Sequence, residues 1–197
     1  IFNQKEKLQD VQEEVWLNEA RADYASTILG YNDPYEDSNL HRRVKDFLQR
    51  PEDSLTEWQN TKYDYAALSL FTHYLVDHYG IGILSNSLKL KSTGIESLNN
   101  AMLQMGAKES FSEAFTNWTV ATAVNNCAVG KKYCYLNPLL SGLRINQTLV
   151  FLPVTGNSSL VSSNFTKNWA GNWHKIIGGS GDLKFKLGEA LNRARQG

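Results

Sequence analysis

The chain has no long hydrophobic run, no excess of either charge, and almost no cysteine. No apolar stretch approaches the roughly 20 residues of a membrane-crossing helix, so no segment reads as a span. Twenty Lys and Arg balance twenty Asp and Glu. The overall charge therefore argues neither for a nucleic-acid partner nor for an anionic lipid surface. The two cysteines, Cys127 and Cys134, lie in Cys-Ala-Val-Gly-Lys-Lys-Tyr-Cys. That spacing is long for a zinc knuckle, and no second pair exists to complete one. A local disulfide across the Gly-Lys-Lys turn fits better, a closure of about 2.5 kcal/mol in the chain-entropy model; free thiols are the alternative. The disulfide would imply an exported protein, secreted or at the cell surface.

What is present suits a globular fold. The chain is 42% hydrophobic and 20% charged, ordinary for such a protein, and its length allows one good-sized domain with or without a small appendage. The expected fold class is mainly α, with a helical subdomain over 1–126 and a loop- and β-rich segment over 127–197. An amphipathic period runs from Val11 to Leu29 and stops at Gly30. Further helices are expected over 40–48, 65–79, 83–90, 95–103 and 111–125. Ser110, with Glu113 three residues on, reads as a capping box for the last of these. Beyond Tyr133, Gly, Asn, Ser and Thr dominate, with a β-branched run over 147–154 and an alternating stretch over 182–187 that reads as the first strand of a β-module. Both ends look cut from a longer protein. Asn117, Asn146, Asn157 and Asn164 sit in glycosylation sequons, Asn117 poorly placed because it falls in a helix.

The segment Trp16-Leu17-Asn18-Glu19-Ala20-Arg21-Ala22-Asp23 sets two carboxylates one helical turn apart, on the same face. Their same-side neighbours Val15, Ala22 and Ser26 are small or apolar, and Arg21 projects elsewhere. Two like charges on a half-buried face call for a positive partner, and a metal ion is the obvious candidate. A solvated, paired face is the ordinary reading of such a spacing.

Asn-Glu-x-x-x-Asp on a helix resembles the third-ligand motif of gluzincin metallopeptidases. So do Trp16 to Ala20, Tyr63-Asp64-Tyr65-Ala66-Ala67, Phe71-x-x-Tyr74-Leu75-x-x-x-Tyr79-Gly80, Gly94-Ile95 and Phe111-x-x-x-Phe115-x-x-Trp118, which look like the bacterial hyicolysin-type members. The resemblance covers about residues 1–126. It implies Glu19 as a zinc ligand, with Asp23 as the carboxylate that orients a ligand histidine and Asn18 beside it. It also implies an oxyanion donor: Tyr63 matches by position, with Tyr65 and His73 as rivals. The substrate would be a peptide or protein.

One departure matters. The chain holds no His-Glu-x-x-His; its histidines are His41, His73, His78 and His174. His73 and His78, five residues apart, diverge by about 140° on a helix and cannot form the required pair. The motif is expected just before Ile1, on a missing N-terminal part of the same protein. Zinc is then expected in the parent, not in the isolated chain, which is expected to be inactive. The competing reading is a non-catalytic, peptidase-like binding or structural module.

Overall fold

The computed structural model describes residues 4–156 and 165–180, together with Val161, Asp182 and Lys184. Among these the chain is mainly α, as its composition and periodicity imply. It forms two compact units. One runs to Gln147 and takes up the stretch ending at Trp173; the other contains the strands.

The helical unit is built around α4 (Lys62–Tyr79). Every residue from Ala66 to Leu75 is buried, so this helix has no solvent stripe through its middle. Its start is set by a capping box in which the Thr61 hydroxyl accepts the Asp64 N–H while the Asp64 carboxylate accepts the Thr61 N–H at 2.6 Å. The helix therefore begins three residues before the expected Tyr65, because Asp closes the box in place of the usual Glu or Gln. Packed against α4 are α2 (Val15–Ile28), α3 (Asn39–Gln49), α5 (Gly82–Leu88) and α7 (Phe111–Val124). The Ser110 capping box of α7 forms as expected, and its Phe111, Phe115 and Trp118 stripe packs on Phe71 with ring centroids 5.2–6.0 Å apart. Asn117 is buried on the same helix.

The helix expected over 11–29 is shorter, and a separate helix precedes it. A short α1 (Gln4–Gln9) ends at Asp10 in a left-handed conformation (φ 56°), and the helix proper begins only at Val15. Between them Glu13 turns inward. Its carboxylate accepts Lys5 Nζ at 3.0 Å, Arg21 Nη1 at 2.9 Å and the Gly94 N–H at 2.7 Å. Burial pushes the Glu13 carboxyl up, but the Gly94 N–H, the Arg21 charge and the Lys5 ammonium together hold it below the usual carboxylate range. Lys5 also donates to the carbonyls of Ser87 and Ser92. The Gly94 contact closes the N-terminus of α6 (Gly94–Gln104), whose N-cap Thr93 supplies no side-chain bond. Gly94 has φ 52°, a left-handed conformation that glycine adopts without strain, and a Cβ there would force the Glu14 carboxylate to move.

The texture of the sequence changes near residue 127, yet the helical core continues past it. Tyr135, Leu140, Leu143 and Ile145 are all buried in the same cluster. Asn125, left-handed at φ 38°, ends α7, and its amide donates to the carbonyls of Leu140, Ser141 and Leu143. Cys127 and Cys134 form the disulfide. In the second unit β1 (Thr148–Leu152) pairs in parallel with β2 (His174–Gly178), Val150 opposite Ile176. Most of the alternating stretch over 182–187, and the sequons at Asn157 and Asn164, lie outside the described residues.

Candidate functional site

Glu19 and Asp23 share one face of α2, half-buried, as their spacing requires. The opposing surface is α3, whose Ser38 cap accepts the His41 N–H at 3.1 Å and so fixes where the helix starts. That start puts Asn39 and Arg43 one turn apart, facing α2. Both reach Asp23. Its Oδ1 accepts Asn39 Nδ2 at 2.8 Å, Arg43 Nε at 3.0 Å and Arg43 Nη2 at 2.8 Å. The positive partner that the Asp23 carboxylate requires is thus a guanidinium from the neighbouring helix. Arg21, on the other flank of α2, is engaged with Glu13 and with Ser87 Oγ at 2.8 Å.

The three candidate donors all lie on α4 and separate clearly. Tyr63 and Tyr65 are two residues apart, so they leave the helix on nearly opposite sides. Tyr65 turns toward Arg43 of α3, and Glu19 is among the charged groups that act on its phenol. Burial raises its pKa first, then the charge and hydrogen bond of Glu19; the Arg43 charge pulls the other way. Arg43 Cζ lies 4.5 Å from the centre of the Tyr65 ring, and Trp58 meets that ring edge-on at 4.9 Å. Tyr63 lies instead beneath Arg50 and Lys62, 5.0 and 4.9 Å from its ring centre.

His73, two turns further along α4, is almost fully buried at 2% exposure. Its Nε2 shares a hydrogen bond with Thr27 Oγ1 at 3.2 Å, Asn32 Nδ2 donates to that same oxygen at 3.0 Å, and Tyr24 packs edge-on against the imidazole. Burial drives its pKa down to about 4, against a pull upward from Asp23. His73 is a neutral core group close enough to feel the site's charge. Its Nδ1, like Asn18 Oδ1, is buried without a hydrogen-bond partner.

The arrangement is a strip of five side chains, Glu19, Asp23, Asn39, Arg43 and Tyr65, with Trp58 at its edge. Asn39, Arg43 and Trp58 were not singled out from the sequence. The one available signal was the Asn-x-x-x-Arg spacing on α3, which gains meaning only when that helix is known to face α2. Among the described residues no group of three His, Cys, Asp or Glu side chains is placed to hold a metal ion. Glu19 supplies a single carboxylate, Asp23 Oδ1 is taken, and His73 Nε2 is turned to Thr27. These residues by themselves do not make a zinc site. A separate cleft of about 410 Å³ lies between α7 and residues 170–173, with Phe115, Thr119 and Trp173 among its walls, and includes none of the five. In comparisons with protein-family models, curated proteins and solved structures, nothing matches this chain.

Proposed function

We propose that this chain is the part of a secreted zinc-dependent peptidase that contributes one carboxylate ligand, Glu19, to a metal site whose histidines and general base lie on a His-Glu-x-x-His segment outside these 197 residues. The observation that carries the reading is a half-buried Glu19 one turn from Asp23, on a face where Asp23 is already neutralised by Arg43 and where the Glu19 charge acts on the Tyr65 phenol. A carboxylate left half-open beside a proton donor suits a ligand next to a developing oxyanion. On this reading the donor is Tyr65; Tyr63 faces other groups, and His73 is sealed in the core.

The experiment has two parts. In the parent protein, Glu19→Ala is expected to abolish bound zinc and peptide hydrolysis, and Asp23→Ala to weaken both by about 10- to 100-fold. In the isolated chain, titration calorimetry is expected to find no zinc affinity. Stoichiometric zinc on the isolated chain, or a fully active Glu19→Ala parent, overturns the ligand assignment. A second reading, a non-catalytic peptidase-like module, is favoured by one observation: Asp23 is engaged by Arg43 and Asn39. A parent sequence lacking His-Glu-x-x-His upstream of Ile1 decides for it.

A further inference from the structure

The grip on Asp23 has a consequence for its neighbour. A surface arginine moves freely, but Arg43 presents two of its nitrogens to a single oxygen, Asp23 Oδ1, and that oxygen is also held by Asn39. Its side chain is 17% exposed. The guanidinium is therefore fixed in position and orientation, and its central carbon lies 4.5 Å from the Tyr65 ring centre. Trp58 touches the same ring edge-on. The Tyr65 ring is thus held by a cation and an indole from different parts of the chain.

We propose that Arg43 is a positioning residue for Tyr65: held by Asp23 and Asn39, its guanidinium clamps the phenol ring and fixes its orientation on the face that α2 shares with α3. This rests on the reading of Tyr65 as the donor, and it gives Asp23 a role through Arg43 that needs no ligand histidine. The charged groups facing the phenol are Glu19 and Asp23, which make its proton harder to lose, and Arg43, which opposes them. Tyr63 is an internal control. It too lies under cations, but Arg50 is exposed, and Lys62, although it pairs with Asp46 and Gln49, has a side chain 49% exposed against 17% for Arg43.

The test is NMR of the 197-residue protein with ¹³C at the tyrosine ring carbons, Tyr65→Phe assigning the Tyr65 signals. In Arg43→Met the Tyr65 ring is expected to flip faster and its ring ¹³C shifts to move, while Tyr63 is unchanged. Arg43→Lys keeps the charge but loses the planar, two-nitrogen contact; its ring flip is expected to speed up with a smaller change in ring shifts. An unchanged Tyr65 flip rate in either folded variant overturns the proposal, as does an equal change at Tyr63. Should Arg43→Met not fold, Arg43→Lys decides alone. A Glu19→Ala parent that keeps its zinc would remove the ligand reading and leave this coupling standing, so the two failures are distinguishable.

Discussion

His73 shows how much one residue's surroundings decide. A histidine on an apolar helix face can be a ligand, a donor or plain core, and position alone does not separate these. Here burial holds its folded-state pKa near 4 against an ordinary 6.5. Between those values the unfolded chain binds the extra proton and the native chain does not, so stability falls as pH drops from about 6.5 toward 4. The shift corresponds to about 3 kcal/mol in full. His73→Gln, which can still donate to Thr27, is expected to remove this acid-dependent component. Urea midpoints measured from pH 7 to 4 check it, and parallel curves for the two proteins would refute it. Taking the difference between them cancels Asp77, whose buried carboxyl is shifted upward and acts in the opposite sense. The same scale holds the lesson of Asp23. Its need for a positive partner was legible in the spacing, but that the partner is Arg43 was not, because the two residues meet only after helices fold together.

Among the elements, the N-terminal segment is the least like its sequence pattern. The apolar period from Val11 hid the true helix start at Val15, because it ran through Glu13, which reads as a solvent-facing residue and is in fact 6% exposed. It is affordable there only because Lys5, Arg21 and the α6 N-terminus converge on it, the last also favouring negative charge through its unpaired N–H groups. Removing the shared anion leaves two buried cations facing each other, whereas removing Lys5 leaves the Glu13–Arg21 pair intact. Glu13→Gln is therefore expected to cost about 3–5 kcal/mol, and Lys5→Met distinctly less. Chemical denaturation of both variants tests the order; a reversal would mean the Lys5 bonds dominate. Elements governed by local chemistry were far more legible. Ser110–Glu113 marked its helix correctly, and α3, α5 and α6 begin and end within about two residues of the expected positions.

At the scale of the whole molecule, the helical unit completes its core with chain from far along the sequence. Trp169 packs against Phe111 and Phe115 with ring centroids 5.1 and 5.2 Å apart. Beside it the Leu55 N–H donates to the Trp169 carbonyl at 2.9 Å, and Ser54 Oγ donates to the Asn168 carbonyl at 2.7 Å. Lys167 bridges Asp53 and Glu57. Trp169→Ala is expected to lower stability by about 2–3 kcal/mol, less than for a fully buried Trp because this one is half-exposed. A chain ending at Gln147 should lose at least as much, since it forfeits these bonds too. Thermal unfolding of both checks this, and a truncated chain with an unchanged midpoint would contradict it.

The sequence by itself determined the helical class, most helix boundaries, the disulfide spacing and the shared face of Glu19 and Asp23, because each depends on groups within a few residues of one another. Tertiary structure alone decided that Arg43 neutralises Asp23, that Tyr65 and not Tyr63 lies under Arg43, that Glu13 is a buried anchor, and that Trp169 closes the core. Each of these joins residues at least eight apart through packing, and no local period encodes which faces meet.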